Sequence, residues 1–232
     1  MKIEEFIQQC QKQGLQLNEN QISQFQRYAA LLKEWNEKMN LTAIVEFEEV
    51  LDKHFYDSLL PSFSLLLHGR LCDVGSGAGF PSVPLKIAYP NLEVTIVEPL
   101  GKRVKFLEEV IQQLGLEKIE CVNERAEDYC KKARESFDIV SARAVANLKI
   151  LSELCIPLIC VGGLFIAMKG AQGLDENQEA EQGLTTLGVQ LEQSVERELS
   201  DGSKRINLFY RKVNKTPGKY PRQFAQIKKN PL

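Results

Sequence analysis

Apolar residues in the first sixty or so positions recur at three- and four-residue spacing, the period of a helix with one buried face. Ile3, Phe6, Ile7 and Cys10 mark one such face, and Ile22, Phe25, Ala29, Leu32 and Trp35 mark a second, with Asn18 placed to cap it. A third runs from about Glu46 towards Leu60 through Val50, Leu51, Phe55 and Leu59, and Pro61 helps to end it. From Arg70 the period changes. Short apolar runs at Leu71 to Val74, Val94 to Glu98, Ile119 to Asn123, Phe137 to Ser141 and Leu164 to Met168 alternate with helical segments. The helices are expected near Val83 to Tyr89, Lys102 to Leu114, Ala126 to Arg134, Leu148 to Ile159 and Leu174 to Leu187. This alternation predicts an α/β fold, a mostly parallel sheet covered on both faces. Two last strands, Val189 to Glu198 and Arg205 to Lys212, flank the turn-forming Ser200-Asp201-Gly202-Ser203 and are expected to pair as an antiparallel hairpin. The expected organisation is a helical appendage over residues 1–61, a main domain over 62–213 and an irregular basic arm over 214–232.

Composition narrows the class. With 44% hydrophobic and 26% charged residues in 232, the chain has the make-up of a globular protein, neither disordered nor fibrous. The 29 basic and 31 acidic residues nearly cancel, but residues 204–232 carry nine basic residues and no acid. A basic end on an acidic body suggests a polyanionic partner, although a solvated tail has the same composition. Six cysteines without a C-x-x-C pair fit reduced, buried thiols, and two histidines leave no set of zinc ligands, so no structural metal is expected. The N-terminus lacks the apolar core of a signal peptide and no apolar run reaches the ~20 residues of a membrane span. A cytoplasmic protein without membrane attachment is the expectation.

The chemistry starts at Asp73-Val74-Gly75-Ser76-Gly77-Ala78-Gly79-Phe80, a glycine turn between a strand and a helix. Glycines there let the backbone take positive φ and approach a ligand beyond the carboxyl ends of the strands. A dinucleotide site wants G-x-G-x-x-G, but Phe80 holds the sixth position. Asp73, ahead of the loop, disfavours a pyrophosphate and suits a cationic ligand such as S-adenosylmethionine. Glu98, at the end of the second strand, is placed to accept hydrogen bonds from both ribose hydroxyls. No G-x-x-x-x-G-K-[ST] phosphate loop occurs, which argues against nucleotide triphosphate hydrolysis.

These residues stand among others that together resemble the RsmG (GidB) family of bacterial 16S rRNA guanine-N7 methyltransferases. The resembling stretches are Asn40-Leu41-Thr42, His54 to Leu59, Asp73 to Pro81, Glu98 with Lys102-Arg103 and Phe106-Leu107, Arg125-Ala126-Glu127, Ala142-Arg143-Ala144, Lys169-Gly170 and Tyr220-Pro221-Arg222. The resemblance implies a class I S-adenosylmethionine-dependent methyltransferase fold, Rossmann-like, with seven strands. It implies S-adenosylmethionine as cofactor and 16S rRNA, or a precursor of the small ribosomal subunit, as partner. The chain departs from the family at Ser82, where glycine is usual, and at Ala225 and Ile227, where the tail usually carries glycine and proline.

The absent motifs agree with that acceptor. Pyrimidine carbon 5 needs an attacking thiolate, and an exocyclic amine is usually held by Asn-Pro-Pro-Tyr or a relative after strand four, where this chain has Ser141-Ala142-Arg143-Ala144. Guanine N7 presents a lone pair and no proton, so alignment and desolvation suffice. Asp73, Gly75, Gly77, Gly79, Phe80, Glu98, Ala126, Glu127 and Arg143 are the expected cofactor residues, with Arg143 also on the catalytic, acceptor side. Arg125, Lys169, Lys102, Arg103 and Arg222 are the expected RNA contacts, and the chain is expected to act as a monomer. Two other readings stay open from the residues alone: a non-catalytic RNA-binding assembly factor and a nicotinamide-dependent oxidoreductase.

Overall fold

A computed structural model describes all 232 residues. Its seven strands are β1 (Arg70–Val74), β2 (Glu93–Val97), β3 (Ile119–Val122), β4 (Phe137–Arg143), β5 (Ile159–Lys169), β6 (Val189–Glu198) and β7 (Lys204–Lys212). They form one sheet in the order β3-β2-β1-β4-β5-β7-β6. The first five pair in parallel, and β7 inserts antiparallel between β5 and β6. The predicted hairpin is therefore present. β5 starts earlier than its apolar run suggests because Ile159 already pairs with Phe137, and the register then shifts before Leu164 meets Ile139. Chain order reverses beside β1, between β2 and β4, and a crevice opens there beyond the carboxyl ends of the strands.

The N-terminal residues are more than an appendage. Helices α1 (Ile3–Lys12) and α2 (Glu19–Met39) place Phe6, Phe25 and Tyr28 in the same buried cluster as Phe55, Phe80 and the sheet residues Leu71, Ile96 and Ile139. Each buried aromatic or aliphatic side chain of this kind contributes roughly 1.5–3 kcal/mol. Asn18 caps α2 as its sequence predicts, its Oδ1 accepting from the Gln21 amide at 2.9 Å. The third expected helix is broken into pieces: α3 (Phe47–Val50), a π-helical turn (Leu51–Tyr56), α4 (Asp57–Leu59) and a 3₁₀ turn (Leu60–Phe63). Turns of the π type widen the backbone spiral and often sit at functional sites. This one carries His54 and hands over directly to Asp57.

The main domain adds α5 (Ser82–Ala88), α6 (Gly101–Leu114), α7 (Ala126–Ala133), α8 (Leu148–Cys155) and α9 (Gly173–Leu187). The C-terminal residues correct the expectation of an irregular arm, since they fold back and form α10 (Phe224–Lys229). Tyr220 and Ile227 are buried in the second core cluster with Cys130, Leu151 and Leu154. Polar contacts fix the path between β7 and α10. Arg134 donates to the Thr216 and Tyr220 carbonyls, both at 2.6 Å, and the buried Lys212 ammonium donates to the Ile156 carbonyl at 2.8 Å. No helix is long and apolar enough to cross a membrane.

Candidate active site

The three loop glycines take positive φ, +72° at Gly75, +62° at Gly77 and +100° at Gly79, which L side chains rarely adopt. Their surroundings divide them. A Cβ on Gly79 would meet the Tyr28 hydroxyl, Val83 and Leu107 within 3.0 Å, so that glycine serves packing. A Cβ on Gly77 would meet nothing within 4 Å, so that glycine is required by its positive φ and not by packing.

Asp73 lies beneath the loop. Its carboxylate is 1% exposed, accepting from the Ser82 amide at 3.2 Å and from the Ser141 hydroxyl at 3.2 Å. Burial pushes its pKa up, and hydrogen bonds from Ser82, Ser76 and Ser141 pull the other way. The carboxylate thus joins the end of the glycine loop to β4, and it is absent from the walls of both cavities described next. The sequence expectation of a direct cation partner overlooked this satisfaction by protein donors.

Two cavities flank the loop after β4, and Ala144 and Val145 line both. The first, of about 350 Å³, holds Glu98, Arg125, Ala126 and Glu127 in its walls together with Gly75. Glu98 is 1% exposed; its Oε2 accepts from the Gly77 amide and its Oε1 from the Leu100 amide, each at 3.0 Å. A carboxylate offers about four lone-pair positions. The two amides leave capacity for a diol, and the cavity beside it leaves room for a nucleoside. This donor set fits S-adenosylmethionine. Arg103, expected at RNA, lines this cavity with a guanidinium nitrogen 3.7 Å from Glu98, while Lys102 beside it points to solvent.

The second cavity, of about 590 Å³, is lined by charged side chains from distant parts of the chain. Arg143, expected at both cofactor and acceptor, lines this cavity and not the Glu98 cavity. It donates to Asp57 Oδ2 at 3.0 Å and to the Lys53 carbonyl at 3.3 Å. Arg205 Nε donates to the same Asp57 oxygen at 3.1 Å. Arginine has no acceptor, so the 3.3 Å contact between Arg143 and His54 Nδ1 fixes the imidazole tautomer. The proton lies on Nε2, which donates to Thr42 Oγ1 at 2.8 Å. Burial and the neighbouring Arg143 charge push the His54 pKa down to about 3, so the ring is neutral. Phe80, expected at the cofactor, lies outside both cavities: its buried ring stacks on His54 at 4.3 Å and carries the Arg143 guanidinium 4.9 Å from its centre.

Lys169 is also in this cavity but 8% exposed, its ammonium donating to the Ala146 carbonyl and pairing with Glu176, both at 2.7 Å. Glu176 in turn accepts from the Leu148 amide at 2.7 Å, so the pair pins the loop between the cavities. Arg222 is likewise committed, clasping the fully buried Glu153 of α8 through Nε and Nη2. Of the expected RNA residues, then, Lys102 is free and Arg125 is exposed at a cavity rim, whereas Arg103, Lys169 and Arg222 are held by carboxylates. Sequence reasoning gave no site role to Asp57, Arg205, Glu176 or Phe224. Asp57 carried a signal, the His-Phe-Tyr-Asp run; the other three carried none.

Comparison with known proteins agrees with this geometry. Residues 21–205 match the family model GidB, rRNA small subunit methyltransferase G. A relative from Lysinibacillus sphaericus, Ribosomal RNA small subunit methyltransferase G, is 47% identical over the full length of both chains. The protein of that name from Staphylococcus epidermidis is 48% identical, covering the whole of this chain and 99% of its own. Among solved structures, geranyl diphosphate C-methyltransferase from Streptomyces coelicolor superposes with a TM-score of 0.54 at 13% identity, over 67% of this chain and 78% of that one. A 16S rRNA (adenine(1408)-N(1))-methyltransferase gives 0.51 at 16% identity, over 62% and 85%. These two show the class I methyltransferase fold. With a family model spanning most of its length and relatives nearly half identical from end to end, the chain belongs to the GidB family, rRNA small subunit methyltransferase G.

Proposed function

We propose that the chain transfers a methyl group from S-adenosylmethionine to N7 of a guanine in 16S rRNA, presented as RNA or within the small ribosomal subunit. The observation that carries the choice of atom is the acceptor cavity itself, whose carboxylates are paired with cations and whose imidazole is neutral. Asp57 accepts from two guanidinium groups, Glu176 from an ammonium and an amide, and the neutral His54 spends Nδ1 on Arg143. An acceptor that must lose a proton in the reaction would have to pass it to a carboxylate already paired with a cation. Guanine N7 has none to lose.

S-adenosylmethionine supplies an electrophilic methyl group on a positively charged sulfur. The protein supplies place. Glu98 would accept from the ribose hydroxyls and Ala126 and Glu127 would border the base, with Gly75 of the glycine turn in the same wall. Arg143 holds the acceptor wall rigid through Asp57 and His54 while presenting its charge to an incoming nucleotide, where a guanidinium suits phosphate or the guanine O6 edge. Ala144 and Val145 line both cavities and so would border the junction at which acceptor and methyl donor must come into direct contact. A ribosomal RNA substrate supports a cytoplasmic location.

The test is transfer of labelled methyl from S-adenosylmethionine to 16S rRNA, or to small subunits, from a strain lacking this modification. Label is expected in the RNA with the wild-type chain. Arg143→Ala is expected to lower turnover at least a hundredfold while holding S-adenosylhomocysteine within about threefold of wild type. A wild-type chain that binds the RNA and transfers nothing would instead be a non-catalytic assembly factor.

A further inference from the structure

The C-terminal residues read in sequence as a basic, RNA-seeking arm, yet one of them reaches the cofactor cavity. Phe224, in the first turn of α10, is part of the wall that also contains Glu98, Ala126 and Glu127. It is the only residue beyond Val145 and Leu154 to do so, and its ring lies under the Arg125 guanidinium, 5.8 Å from its centre. Arg125 itself caps the start of α7 and lines the same cavity. An aromatic face and a guanidinium plane side by side at the nucleoside end of a pocket form a stacking platform for a purine.

The structure also shows what keeps that platform in place. Two residues before Phe224, Arg222 donates from its backbone amide and its guanidinium to Glu153, whose side chain is 0% exposed. A carboxylate so buried is strongly disfavoured without its partner, so the arm cannot swing away without leaving that charge uncompensated. Arg222 also donates to the Asn230 carbonyl at the far end of α10, and Ile227 is buried beneath the helix. The arm is thereby locked against α8 as a fixed wall.

We infer that Phe224 is a further cofactor-binding residue, the outer face of the adenine site, and that the Arg222–Glu153 pair is the positioning device that holds it there. This rests on the proposed use of S-adenosylmethionine. The basic residues of the arm then act at a distance from the chemistry, and its aromatic residue acts at the cofactor. Stacking on one base by an aromatic side chain sets the expected scale, a loss of about tenfold in affinity on truncation.

Calorimetric titration of the full-length chain with S-adenosylhomocysteine and with 5′-methylthioadenosine, which keeps the adenine and lacks the amino-acid portion, tests this. Phe224→Ala should weaken both ligands by the same factor, about tenfold, and Phe224→Tyr should restore both. Phe224 is only partly buried, and thermal melting without ligand checks that each variant is folded. Glu153→Gln, which removes the charge that holds Arg222, should weaken both ligands in the same direction by a smaller factor. Equal affinity of wild type and Phe224→Ala for both ligands would overturn the assignment, as would a loss seen with S-adenosylhomocysteine alone, since the ring would then lie at the amino-acid end. A wild-type chain that binds neither ligand would instead defeat the cofactor reading on which the inference stands.

Discussion

The two cavities that share the Ala144–Val145 wall are built on different plans. The donor cavity is held by backbone: Glu98 rests on the Gly77 and Leu100 amides, and the glycine turn gets its shape from positive φ values. The acceptor cavity is held by side-chain charges gathered across the fold, with Asp57 between Arg143 and Arg205 and Lys169 against Glu176. The difference teaches where each site is fragile. A site shaped by backbone hydrogen bonds loses its ligand when a side chain is altered and keeps its fold. One made by partly buried charges from separate elements joins those elements, so altering it also loosens the protein.

The largest expected effect therefore falls on Asp57, whose side chain is 6% exposed. Asp57→Ala leaves two guanidinium groups facing one another and is expected to cost about 3 kcal/mol of unfolding free energy, the scale for removing one partner of a buried pair. Urea denaturation measures it, and a cost below about 1 kcal/mol would show that the network contributes little to stability. Glu98→Gln sharpens the contrast from the other side. It sets an amide NH₂ against one of two backbone donors, so a stability loss of about 1 kcal/mol is expected with a loss of at least tenfold in S-adenosylhomocysteine affinity. Titration and denaturation of the same sample separate the two effects.

A smaller effect is set by pH. The His54 pKa is about 3 in the folded chain against an ordinary 6.5, so between those values the unfolded chain takes up a proton that the folded chain refuses. The stability contributed by the neutral ring is complete above about pH 6.5 and falls as the pH drops towards 3. The stability difference between wild type and His54→Gln is expected to shrink from pH 7 to pH 5. A difference that stays constant over that range would mean that the imidazole is not held neutral by its surroundings.

The same contrast explains what was legible in the sequence. Donor residues lie in short runs with a motif: Gly75, Glu98 at a strand end, and Ala126 and Glu127 at a helix start line one cavity, while Gly77 gives its amide to Glu98 and Gly79 packs against Tyr28. The sheet was legible for a related reason, because strand and helix periods are local. Acceptor partners are not local. Asp57 and Arg205 stand 148 positions apart, and no spacing rule connects Lys169 with Glu176 into a clamp on the loop between them. Basic residues such as Arg222 and Lys169 read as ligands for phosphate because a sequence displays charge without its partner. The arm read as irregular because its helix is short and is fixed by one ion pair and a few buried side chains, which leave no period.

The account stands most directly on the atom that receives the methyl group. Labelled 16S rRNA from the transfer reaction, treated with borohydride and then aniline, should break at one guanine, and the labelled nucleoside should be 7-methylguanosine. Label that resists this cleavage and is recovered on an exocyclic amine, a ring carbon or a ribose hydroxyl would contradict an acceptor cavity that works without a base.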